Sequence, residues 1–148
     1  MDLSAEKPDV QWYNSSPGKG AIYDLTSTAI SGTGMRERVR AVVALGKSDD
    51  PRAVRPLMDL LSDNDPEIRI SATTALGQLK SGRAVEALTR LLKERNEQVF
   101  LRQQAAVSLA AIRSTGAIRV LKEYIASEDE DPAVRSYVIV LMEESGHW

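Results

Sequence analysis

The chain holds one histidine and no cysteine, so the chemistry open to its side chains is narrow. His147 stands next to Trp148 at the end of the sequence, where it is expected to be too mobile for a general base, and a Ser-His-Asp arrangement would have to recruit it there. The absence of cysteine removes thiolate nucleophiles, disulfides and most structural zinc sites together. Acidic pairs occur at Asp49-Asp50, at Asp63 and Asp65, and from Glu128 to Asp131, in turns where they cap helices or stay solvated. A loose divalent cation at the last cluster has no calcium-loop spacing behind it. Gly18-Lys19-Gly20 lacks the upstream glycine and the following Ser/Thr of a phosphate loop. Asn14-Ser15-Ser16 matches a glycosylation acceptor, which means nothing without a secretion signal. These residues predict no catalytic site, no cofactor and no metal.

What remains is recognition, and the elements that would carry it repeat. Arg38, Arg69, Arg102 and Arg135 are 31, 33 and 33 residues apart. Three residues after each comes Ala41, Ala72, Ala105 or Val138, and six after comes Ala44, Ala75, Ser108 or Leu141. Leu45, Leu76, Leu109 or Met142 follows directly, and then Gly46, Gly77 or Ala110, with Glu143 breaking the pattern in the last copy. Offsets 3, 6 and 7 share one helical face, so each copy opens with an amphipathic helix. Its small residues admit a close neighbour.

Eight residues beyond each leucine a second helical stripe begins: Ala53-Val54-Leu57-Leu60-Leu61, Ala84-Val85-Leu88-Leu91-Leu92 and Ala117-Ile118-Leu121-Tyr124-Ile125. The length changes fall only between copies. Asp65-Pro66 and Asp131-Pro132 supply an N-cap and a first-turn proline to opening helices, as Asp50-Pro51 does to the first closing helix. Pro56 is expected near the first turn of that helix, because an interior proline would remove a backbone hydrogen bond.

The runs Val39-Arg40-Ala41-Val42-Val43-Ala44-Leu45-Gly46, Asp50-Pro51-Arg52-Ala53-Val54-Arg55-Pro56-Leu57 and Asp65-Pro66-Glu67-Ile68-Arg69 resemble HEAT repeats. They are similar to the HEAT-like subclass of phycobilin lyases. The resemblance covers roughly residues 35–145 and implies an all-α fold, a right-handed α-α superhelix of about three helical hairpins plus a terminal half-repeat. The copies are 35–65, 66–97, 98–131 and 132–148. It also implies that second helices line a concave face that usually grips another protein. Iron-binding hydroxylases built on such repeats use several His-Glu pairs, and this chain has none.

On the second helices the outward columns are Arg55, Glu86, Arg119 and Asp59, Arg90, Glu123, with alternating signs across the stack. Arg55–Asp59, Glu86–Arg90 and Arg119–Glu123 are each four residues apart, so opposite charges also neighbour along each helix. The checkerboard predicts a neutral groove, whereas a nucleic-acid groove needs unpaired Lys/Arg and aromatics to stack on bases. Nucleic acid therefore ranks well behind protein. A protein partner could be read by these charges together with Met58, Thr89, Lys93 and Lys122; a self-satisfied solvent face is the competing reading. The Arg column is expected to be stacking hardware rather than a polyanion ridge. Asp65 lies four residues before Arg69, and Asp131 four before Arg135.

Residues 1–34 stand outside the pattern. Asn14 to Gly20 and Ser31-Gly32-Thr33-Gly34 read as loops, with either a short helix over 21–30 that caps the first pair or, in its place, a disordered tail. At the other end Val134 and Tyr137 to Met142 make the last helix apolar nearly all round. An uncovered face at Tyr137, Ile139 and Val140 calls for a cover: the N-terminal segment, Trp148, a partner, or a second subunit in a homodimer through the C-terminal helix. No apolar run spans a bilayer and the first residues lack a signal, so a cytoplasmic protein with no membrane contact is expected. The net charge of −2 hides a layout of 16 basic against 10 acidic residues over 35–122, and 1 against 7 over 123–148. Such a gradient can orient partners or promote head-to-tail association.

Overall fold

The computed structural model describes residues 19–146, and every described element is helical. Opening helices α2 (Met35–Lys47), α4 (Pro66–Leu79), α6 (Val99–Ile112) and α8 (Pro132–Ser145) alternate with closing helices α3 (Val54–Leu60), α5 (Val85–Lys93) and α7 (Thr115–Ala126). Before them stands α1 (Lys19–Ser31). Short 3₁₀ turns at Pro51–Ala53 and Gly82–Ala84 lead into α3 and α5. The array is an α-α solenoid. Pro56 is the third residue of α3, in its first turn.

Local signals start α4, α7, α8 and the turns before α3 and α5, whereas α2 and α6 begin at Gly34 and Gln98 without a side-chain cap. Asp65 Oδ1 accepts from the Glu67 N–H at 2.9 Å, and Asp131 Oδ1 accepts from Ala133 and Val134 at 2.8 and 3.3 Å. Asp50 caps the turn before α3, Ser81 the turn before α5, and Ser114 caps α7. Each cap satisfies a donor that would otherwise be orphaned.

One hydrophobic core runs through the array. Leu45, Ile68, Leu76, Leu101, Leu109, Val138 and Met142 from the opening helices are fully buried. Leu57, Leu88, Leu92 and Leu121 meet them from the closing helices. Burying one such side chain stabilises the fold by about 1.5–3 kcal/mol.

The small residues decide which row packs tightest. A Cβ built on Gly46 would lie 2.8 Å from the Ala75 Cα, and one on Gly77 would lie 2.9 Å from the Ser108 Cα. Neighbouring opening helices therefore touch along their backbones. Ser108 seals the second junction by donating to the Thr73 carbonyl of α4 at 2.7 Å. Gly77→Ala should destabilise the protein by about 1–3 kcal/mol through overpacking, although alanine is the better helix former. Gly116→Ala, in open surroundings on α7, should stabilise by up to about 1 kcal/mol. Thermal melts of the two variants should move in opposite directions.

The ends refine the sequence reading. Helix α1 covers the stretch where a short capping helix was one of two expectations, and it is part of the array: Ile22 and Ala29 are buried, and it packs on α2 as α5 packs on α6. It stands where the closing helix of a preceding unit would stand. The apolar residues of α8 also divide between faces. Val134, Val138 and Met142 are buried, Ile139 is partly buried, and Tyr137 and Val140 are 37% and 51% exposed. Glu143 is exposed at the position held by Gly46 and Gly77 in earlier copies, so the end face is more polar than the composition of the helix suggested. Trp148 and residues 1–18, two of the expected covers, lie outside the described residues.

Candidate partner interface

Two sets of charged residues occupy the array, and the fold uses them differently. The first set is the arginine column. Arg38 Nε donates to the Ala29 carbonyl at 2.8 Å, Arg102 Nε to Leu92 at 2.9 Å and Arg135 Nε to Ile125 at 2.7 Å. Arg69 donates to the Asp63 carbonyl at 2.8 Å. Each guanidinium thus reaches back to carbonyls at or just beyond the C-terminal end of the preceding closing-row helix, where a positive charge is favourable.

Three of these side chains also reach forward to an acid before the next opening helix. Arg38 pairs with Asp63, Arg69 pairs with Glu97 at 2.9 Å, and Arg102 lies 4.0 Å from Glu130 and 3.8 Å from Asp131. Links therefore run from unit to unit. Asp65 and Asp131 do not pair with the arginine four residues later in their own helix, because their oxygens are turned to the helix N-terminus as caps. Burial opposes the ionisation of Asp63, but the Arg38 guanidinium and the Asp65 N–H outweigh it and hold its carboxyl below the usual carboxylate range. Arg102 is only 2% exposed and also donates to the Tyr124 hydroxyl at 3.0 Å. Burial pushes that hydroxyl's pKa up, so it stays protonated.

The second set lies on the closing row, and here the fold makes little use of the charges. Arg55, Asp59, Glu86, Arg90, Lys93, Arg119, Lys122 and Glu123 are all exposed. Of the three pairs expected four residues apart, only Glu86–Arg90 comes within ion-pair distance among the described residues, at 3.9 Å with both side chains well solvated. Exposed pairs of this kind contribute about 0.2–1 kcal/mol. The checkerboard exists as a pattern of sign, not as a network of bonds.

Grooves separate the closing helices. One of about 590 Å³ lies between α3 and α5 and brings together Met58, Ala87, Arg90 and Glu94 above the Arg69–Glu97 link. Another, of about 660 Å³, lies between α5 and α7 and gathers Glu86, Thr89, Arg119 and Glu123. The Thr89 hydroxyl is turned inward, donating to the Val85 carbonyl at 2.7 Å. Lys122 stands at the last hairpin with Ile125, Ile139 and Glu143, which places Ile139 apart from Tyr137 and Val140. Arg55, Asp59 and Lys93 are exposed but line neither of the two larger grooves. No group of three or more metal-ligating side chains occurs among the described residues.

Exposed residues of the opening row were passed over in the sequence reading. Val43, Val99 and Phe100 are 38%, 39% and 53% exposed. Phe100 carried a signal: it is the only phenylalanine in the chain, two residues before its Arg, where the other copies have Arg36, Glu67 and Ala133.

With this architecture in view, comparison with known proteins agrees on its class. Residues 33–101 match the family model for HEAT repeats. The chain is an α-α solenoid, and within it residues 33–101 are similar to HEAT repeats, a repeat type that generally mediates protein interactions. Among solved structures it is similar to human deoxyhypusine hydroxylase in complex with glycerol, with a TM-score of 0.74 and 24% identity. That likeness covers 86% of this chain and 44% of the other, so the chain spans less than half the neighbour's length, and it is a likeness of fold. No curated protein matches by sequence. Among the described residues, no helix is long and apolar enough to cross a membrane.

Proposed function

We propose that the chain is a non-catalytic scaffold that binds another protein through the grooved face of its closing helices. One observation carries this reading: the arginine column is engaged inside the fold, whereas the closing-row charges are exposed and almost unpaired. A surface of mixed sign above grooves lined by partly buried Met58 and Ala87 suits a protein with complementary charges, and such rim charges act on association rate and specificity. It suits a polyanion poorly, because the strongest row of arginines already faces carboxylates and carbonyls. The lack of cysteine is compatible with a cytoplasmic setting.

The combined substitution Arg90→Glu and Lys93→Glu should weaken a captured partner by about tenfold, as loss of rim complementarity does, with melting unchanged. Unchanged affinity would exclude this face. The alternative, a subunit of a bilin lyase-like enzyme, draws on repeat likeness alone. Incubation with a bilin chromophore separates the two readings: no absorbance change and no retained pigment is expected here, and a bound pigment would favour the enzyme.

A further inference from the structure

The exposed large apolar side chains divide unevenly between the rows. Among the described residues, Val43, Val99, Phe100, Tyr137 and Val140 lie on opening helices and Tyr23 and Ile30 on α1, with none on α3, α5 or α7. Four offsets from the column arginine mark the outer strip of each opening helix, at −2, +2, +5 and +9. On α2 this strip is basic, with Arg36, Arg40 and Lys47 around Val43. On α6 it carries Phe100 and the partly buried Val107 and no charge, and on α8 it carries Tyr137 and Val140 and ends in Glu144.

We infer that this opening-helix face pairs with the same face of a second copy, about a two-fold axis parallel to the helices between α4 and α6. Repeat register then decides what meets. Helix α2 of each copy lies against α8 of the other, with Val43 on Val140, Arg40 over the Tyr137 ring and Lys47 beside Glu144. On helix α4 the stem of Glu67 and the side chain of Thr74 receive Phe100 and Val107 of the partner copy, with Ser71 beside Gln104. Every contact occurs twice, as a two-fold interface requires. The charges select this arrangement. Setting α2 against α2 would run the helices antiparallel, oppose two basic strips with Arg36 on Lys47, and leave Glu144 beside Ala133 with no counter-charge, whereas the crossed order sets Lys47 beside Glu144 at both ends. The interface uses a face the closing-row reading leaves free, so the two stand or fall separately.

Sedimentation equilibrium on the full chain tests this. The wild type should sediment at twice the 16.2 kDa chain mass. Val140→Glu should raise the dissociation constant by about tenfold or more, as a charge at a packed apolar contact does, with the helical signal unchanged. Lys47→Glu should weaken the dimer, and adding Glu144→Lys in the same chain should restore it. A monomeric wild type, a dimer indifferent to Val140→Glu, or a charge swap that fails to rescue Lys47→Glu would overturn the proposal. So would a monomer that dimerises only after removal of residues 1–18, since that segment would then be the occupant.

Discussion

Leu76→Asp should abolish cooperative unfolding and remove most of the helical signal. Leu76 is fully buried in α4, an opening helix flanked on both sides by others of its row. The substitution loses the leucine's packing, about 2–5 kcal/mol for truncation alone, and adds the several kcal/mol needed to desolvate a carboxylate without a partner. A domain of this kind has about 5–15 kcal/mol of stability to lose. In a linear array the damage also spreads, since each unit is held by its neighbours' interfaces. Circular dichroism during heating would show a shallow, non-cooperative loss of structure in place of a sharp transition. A variant that still melts sharply within a few degrees of the wild type would show that α4 does not hold the stack together.

The second large effect is expected at Arg102→Met. Methionine keeps much of the aliphatic packing and removes the guanidinium. The Leu92 carbonyl and the Tyr124 hydroxyl each lose a hydrogen-bond partner, and Glu130 and Asp131 lose their counter-charge. Removing one member of a buried ionic group costs about 3–5 kcal/mol. At about 2–4 °C per kcal/mol for a chain of this size, the melting temperature should fall by roughly 6–20 °C. Two comparisons isolate the cause. Tyr124→Phe removes one hydrogen bond of that group and should cost about 1 kcal/mol, and Arg135→Met, half-buried with a single carbonyl acceptor, should cost a similar amount. Equal losses at Arg102 and Arg135 would mean that the forward link to the acids contributes nothing.

The periodic part of the fold was legible because its causes are local and repeated. A leucine stripe at helical spacing, an Asp-Pro pair before a helix and a glycine one residue after Leu45 or Leu76 each act within one turn, and recurrence in register removes ambiguity. The role of the arginine column as stacking hardware was legible for the same reason, but its partners were not. Sequence offers Asp65 to Arg69 as a neighbour one helical turn away, yet the cap geometry claims Asp65, and Glu97 arrives from 28 residues downstream. Spacing along a helix cannot rank a local acid against one delivered by the next unit.

The ends were legible least. Helix α1 has neither the arginine nor the leucine stripe of the repeats, so the sequence left a capping helix over 21–30 beside a disordered tail, and only the packing on α2 decides for the helix. The apolar run of α8 looked like one uncovered face because composition does not say which side a neighbour takes. The structure assigns Val138 to the core, Ile139 to the last groove and Val140 to the opening face, three successive residues on three surfaces. The closing-row columns were legible as a pattern of sign, since position on a helix sets them. Their pairing was not, because it depends on long, solvated side chains.

The division of labour between the two rows can be tested in one measurement: a photo-crosslinking residue at Lys93 on the closing face, with a second at Gln78 on the opening face as comparator, in the native host. The account predicts adducts to a different protein from position 93 and adducts of twice the chain mass from position 78. Failure of position 93 to trap any other protein, or the same foreign adduct from both positions, would contradict it.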